Sequence, residues 1–154
     1  MGEDYQHTQI GYVTLIALGA TLAVIVYLMA AFGFNWIAFA VFIILGACMV
    51  LFGTLTVIIK EDVLEIRLGP GIIRKRFLLK GVESCQTVKN PWYYGWGIRL
   101  TPHGWLYNVS GFYTVEIRMT GGKKYRIGTN VPNTLEKAIR QSIEGVRRKT
   151  VQER

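Results

Sequence analysis

Residues 10–55, IGYVTLIALGATLAVIVYLMAAFGFNWIAFAVFIILGACMVLFGTL, contain no Asp, Glu, Lys or Arg, and the uncharged window widens to residues 8–59. That stretch is too long for one membrane span and suits two. Residues 10–32 as a helix reach about 34 Å, enough for a hydrocarbon core of roughly 30 Å, and residues 36–55 supply a second span. Gly33-Phe34-Asn35 breaks the run with turn-forming residues and no charge. So short a connection predicts an antiparallel hairpin with both chain ends on one side of the membrane.

Working outward, Glu3 and Asp4 are the only formal charges before Lys60, and all 18 Lys+Arg residues lie at or beyond it. The net charge of +8 is therefore the property of the second part of the chain. The inter-helix turn carries no Lys or Arg, whereas Lys60, Arg67 and Arg74-Lys75-Arg76 follow the second span closely. The positive-inside bias then places both termini in the cytoplasm of a multi-pass inner-membrane protein. A cleaved leader fits poorly, because Glu3 and Asp4 stand where a basic segment belongs and the apolar run is too long.

The expected organisation is a short N-terminal tail (1–9), a helical hairpin (10–55) and a mainly β domain (56–150). From Thr54 the apolar period becomes two. Leu55, Val57 and Ile59 alternate, then Leu64, Ile66 and Leu68 with Glu65 and Arg67 between them. Gly69-Pro70-Gly71 and Gly121-Gly122 are turns, the second closing a hairpin of Tyr113 to Met119 with Lys123 to Gly128. Pro132 suits a first helical position, and Leu135, Ile139, Ile143 and Val146 line one face of a helix over residues 132–149. Seven or eight antiparallel strands and one amphipathic helix predict a small barrel or bent sandwich whose open mouth the helix plugs.

The step Leu79-Lys80-Gly81-Val82-Glu83-Ser84, the strand order and the final helix resemble the bacterial pleckstrin-homology-like domains. The segment Asn90 to Arg99, Thr101-Pro102 to Gly111, and Tyr125-Arg126-Ile127-Gly128-Thr129 look like short bacterial proteins with two spans before such a domain. The resemblance covers roughly residues 10–148 and implies a membrane location, a β-barrel with a capping helix and no catalysis. In that group an acidic residue often precedes the helix-opening proline. Here Val131 stands there, so Thr129 or Asn130 is expected to cap the helix. Eukaryotic lipid-binding relatives carry basic residues in the first strand–turn–strand, where this chain has Lys60-Glu61-Asp62. Two acids oppose phosphate there.

Among candidate contact residues, Trp92, Tyr93 and Tyr94 form an aromatic loop suited to headgroups or a protein interface. Trp96, Trp105 and Tyr107 are expected to fill the barrel. Arg74-Lys75-Arg76, Lys123-Lys124 and Arg147-Arg148-Lys149 are basic patches that could hold the domain against an anionic leaflet, each cation contributing about 1 kcal/mol near the surface. Small residues recur in the spans (Gly19 and Ala23, Ala40 and Ala47, Gly46 and Gly53), which suits close packing of the two helices or of a second subunit. Neither span holds an ionisable residue, which argues against an ion path.

Catalytic machinery is hard to assemble. His7 precedes the first span and His103 sits in a turn. No metal-ligand spacing, paired-carboxylate motif or phosphate loop appears, and Cys48 and Cys85 are too differently placed to pair. The expectation is a non-enzymatic, cofactor-free and metal-free module that does not bind nucleic acid. It would dock on a membrane-protein partner or on its own copies, as an accessory subunit for example; direct binding of anionic lipid is the alternative, and an enzyme of unknown class a remote one.

Overall fold

Gly11 and Gly53 mark where the chain leaves a β-sheet and returns to it. The computed structural model describes residues 4–153. Strand β1 (Tyr5–Ile10) pairs antiparallel with β2 (Thr54–Lys60) along its whole length, from Tyr5 opposite Ile59 to Ile10 opposite Thr54. Between these partners the chain runs out as helix α1 (Tyr12–Phe32) and back as α2 (Trp36–Phe52). The Gly11 N–H donates to the Gly53 carbonyl at 2.7 Å and closes the root of the excursion. Residues 5–9, expected as part of a tail, and Ile10, expected to open the first span, are thus a strand. Without their own partner in view they carried too little pattern to be read as one.

Neither helix buries a side chain. At 21 residues α1 rises about 32 Å and is long and apolar enough to cross a membrane. Helix α2 has 17 residues, fewer than expected, because Thr54 and Leu55 belong to β2. Gly33, at φ +94°, ends α1, and Asn35 caps α2 by accepting from the Ile37 and Ala38 amides at 2.8 and 3.1 Å. Phe34, Trp36 and Phe39 pack edge to face or tilted at the hairpin tip, with centroids 5.0–6.3 Å apart. Of the small residues, Gly53 meets Leu15 of the facing helix, while Gly19 and Gly46 have open space where a Cβ would stand.

Sequence alternation from Thr54 onward becomes two sheets rather than a closed barrel. The first has the order β1-β2-β3-β4, with β3 Val63–Leu68 and β4 Ile73–Leu78. The second has the order β5-β8-β9-β7-β6 and comprises β5 (Val82–Lys89), β6 (Gly97–Thr101), β7 (Gly104–Asn108), β8 (Tyr113–Met119) and β9 (Lys124–Gly128). All neighbours are antiparallel except β7 and β9. Leu55, Val57, Ile59, Leu64, Ile66 and Leu68 meet Val115, Ile117, Tyr107 and Ile127 in the core.

Helix α3 (Pro132–Gln152) closes the core with Leu135, Ile139, Ile143 and Val146. Burying those four side chains contributes on the order of 8 kcal/mol before chain entropy is counted. Its N-cap is Val131, without a side-chain cap. Thr129 instead accepts the Val131 amide at 3.1 Å, and Asn130 bonds His7 at 2.6 Å. The helix also covers the edge of β5. The Glu136 carboxylate accepts from the Thr87 amide at 2.7 Å, Arg140 donates to the Cys85 carbonyl at 3.4 Å, and Arg147 donates to the Glu83 carbonyl at 3.1 Å. Alternate residues of an edge strand point their backbone groups outward, and these three side chains occupy that row.

Candidate functional site: a roofed ion pair under an aromatic flap

Strands β8 and β9 alternate, so Val115, Ile117, Tyr125 and Ile127 face the core while Glu116 and Arg126 face outward. An outward face of an antiparallel sheet ordinarily meets water. Here it does not. The segment between β5 and β6 folds over it as a single 3₁₀ turn, Trp92–Tyr94, and buries Glu116, Arg126, Asn90, Leu106 and Tyr94. Leu106 and Tyr94 lie outside the main core cluster, so this is a second, smaller interior.

Its charged groups are paired. Arg126 Nε donates to Glu116 Oε2 at 2.8 Å and Nη1 donates to Asn90 Oδ1 at 2.7 Å. Lys124 reaches the other Glu116 oxygen at 3.7 Å. The Arg126 guanidinium stands 6.0 Å from the centre of the Tyr94 ring, within range of a cation–π attraction. The Tyr94 hydroxyl bonds His103 Nδ1 at 2.8 Å, tying the flap to the β6–β7 turn. Gly104 in that turn has φ +101° and lies against the Lys124 carbonyl, where a Cβ would collide. The Asn90 amide nitrogen is buried without a partner.

Tyr94, expected with its neighbours as a contact residue, is therefore a buried pin, because its ring packs over Arg126. Trp92 and Tyr93 remain 77% and 64% exposed. Of the expected barrel aromatics, Tyr107 is in the core. Trp105 is not: it lies opposite Leu100 at the end of β7, where the inner face runs past the core and leaves the two residues 43% and 70% exposed. Trp96 also serves elsewhere. Its indole donates to the Gly111 carbonyl at 3.2 Å, and its ring lies 6.1 Å from that of Phe112.

The basic runs do not form common patches. Arg74 and Arg76 point outward while Lys75 lies on the inner side, 5.9 Å from the Tyr125 ring centre, because a strand alternates its faces. Arg76 and Arg67 both bond Glu65, at 3.0 and 2.5 Å, and hydrogen bonding from Arg67 leads in holding that carboxyl below its ordinary range. Lys123-Lys124 follows the β8–β9 turn. Arg147-Arg148-Lys149 ends α3 beside the β2–β3 turn, with Lys149 3.5 Å from Asp62. Both clusters sit at the end of the domain opposite the helical hairpin.

Among the described residues no group of three or more His, Cys, Asp or Glu could hold a metal ion. Cys85 is buried, and desolvation pushes its thiol up. A groove of about 680 Å³ runs between β1, the Glu61-Asp62 turn and the outer half of α3, lined by Tyr5, Glu144 and Arg148 among others. The sequence reading missed the Glu116–Arg126 pair, although counting back from the Gly121-Gly122 turn places those residues opposite each other. That the pair would be roofed is not legible from that count. Comparison of the chain with protein-family models, curated proteins and solved structures finds no match.

Proposed function

We propose that this chain is a membrane-anchored docking module: the α1–α2 hairpin spans the inner membrane, and the two-sheet domain, of pleckstrin-homology-like plan, presents a binding surface on the cytoplasmic side. The observation that carries this is the pair of apolar helices, with no buried side chain, inserted between two fully paired strands. Water is a poor solvent for such a hairpin. The 17 residues of α2 lie at the lower limit for a span. Because anchor and sheet share the β1–β2 ladder, the domain is held in a set orientation rather than on a flexible leash.

Docking rather than catalysis is supported by the sealed state of the polar cluster, where Glu116 and Arg126 satisfy each other beneath the flap. The contact residues assigned are Trp92 and Tyr93, large aromatic side chains held out on a pinned turn. Rigid aromatics of this kind lose little entropy when covered. The occupant is a membrane-protein partner or a second copy, as for an accessory subunit. Direct lipid binding by Lys123-Lys124 and Arg147-Arg148-Lys149 is disfavoured by their place. Strand β2 alone sets the far end roughly 20 Å from the hairpin root, about two and a half Debye lengths at physiological salt.

The test is photo-crosslinking from positions 92 and 93 in native membranes, read by mass spectrometry. One reproducible protein adduct, to a single partner or to the chain itself, is expected; with the label at position 92, Tyr93→Ser should weaken it, and with the label at position 93, Trp92→Ser should do the same, in neither case releasing the protein from the membrane. Adducts to lipid alone would overturn the assignment.

A further inference from the structure

We infer that the domain rests on the bilayer its own hairpin enters, through two loops, residues 69–72 and 110–113, that seat Ile72 and Phe112 at headgroup level. The inference rests on the anchor reading and adds a lipid-contacting surface to it. Both loops are bonded to the hairpin root. The Gly69 N–H donates to the Thr54 carbonyl at 2.9 Å, and Gly69 lies so close to the Val50 carbonyl, in the last turn of α2, that a Cβ would collide. On the other side Thr14, in the first turn of α1, donates to the Val109 carbonyl at 2.8 Å, and Gln9 donates to the Ser110 carbonyl at 3.0 Å.

The hairpin supplies the depth. The aromatic cluster of Phe34, Trp36 and Phe39 marks its tip, and aromatic rings favour the membrane–water interface. The 21 residues of α1 place Tyr12 about 32 Å from that tip, close to the thickness of a hydrocarbon core. Tyr12, itself 63% exposed, then stands at the near interface, and loops packed on the first turn of α1 and the last turn of α2 stand there too. What those loops offer suits the location. Ile72 is 72% exposed at a turn tip and Phe112 is 40% exposed. They are flanked by two cations, Arg74 and Lys89, the latter 5.7 Å from the Tyr113 ring centre. Apolar tips with cations beside them match acyl chain below and phosphate above.

The experiment uses the full chain, with Cys48 and Cys85 replaced by Ala, in vesicles of phosphatidylcholine and phosphatidylglycerol. A nitroxide is attached after Ile72→Cys, Phe112→Cys, Lys123→Cys or Val24→Cys, one at a time. Collisions with oxygen, which concentrates in lipid, are compared with collisions with a water-soluble nickel chelate. Oxygen is expected to dominate at positions 24, 72 and 112, and the nickel chelate at 123. Oxygen at 24 with the chelate at 72 and 112 would overturn the seating and leave the anchor standing. The chelate dominating at 24 would overturn both. Melting of each labelled variant, monitored by circular dichroism, shows that the domain is folded when it is read.

Discussion

Replacing Arg126 with Met tests the roofed ion pair directly. The side chain is only 7% exposed, as is that of Glu116. Arg126→Met would leave the carboxylate buried with only Lys124, at 3.7 Å, to offset its charge, and would leave Asn90 Oδ1 without its donor. Breaking a buried pair from one side costs about 3–5 kcal/mol. The partial help from Lys124 points to the lower end, about 3 kcal/mol. For a domain of this size each kcal/mol moves the melting midpoint by about 4–8 °C, so a fall of roughly 12–24 °C is expected. The assay is thermal unfolding of the full chain in mild detergent, followed by tryptophan fluorescence and near-UV circular dichroism. The double variant Glu116→Leu with Arg126→Met removes both charges and should return to within about 1 kcal/mol of the parent. If the single variant melts with the parent, or if the double variant is no better than the single, the pair does not hold the flap as described.

Glu136→Gln should lower stability by about 1–2 kcal/mol, since the Thr87 amide and Arg140 lose a charged acceptor; urea unfolding measures it. Hydrogen bonding from Thr87 leads in holding the Glu136 carboxyl below its ordinary range, as Arg67 does for Glu65. Both carboxyls therefore contribute stability above the ordinary glutamate range that is lost as pH falls through their lowered values. Urea midpoints taken across acid pH should fall less steeply in Glu136→Gln than in the parent. Gly69→Ala meets both a φ of +56° and the Val50 carbonyl, whereas Gly122→Ala meets a φ of +82° with open space around it. The first should cost at least about 1 kcal/mol more than the second in paired melts. Cys85 should resist alkylation at mildly alkaline pH in the folded protein and react readily once unfolded, because burial keeps its thiol protonated.

Much of the architecture was written in patterns that need no partner. Absence of charge over residues 8–59 suffices for two apolar helices with a Gly-Phe-Asn break, because the hydrophobic requirement is a property of the segment itself. Period-two alternation in β2, β3 and β8 and the four-residue apolar stripe of α3 are equally local. The turns at Gly69-Pro70-Gly71 and Gly121-Gly122 lie where backbone freedom demands them.

What stayed hidden depends on elements distant in sequence. Tyr5 to Ile10 become a strand only because β2 stands opposite them 40 or more residues later, and the hairpin thereby becomes an insertion within a ladder. Glu116 and Arg126 read as solvent-facing charges until the Trp92–Tyr94 turn covers them. Trp105 and Trp96 look like core aromatics until the register and the Gly111 loop place one at an open corner and the other beside the root. Composition settles which segments are apolar. Which charged side chain is buried, and which basic run lies far from the helices, is decided by how strands from opposite ends of the chain come together.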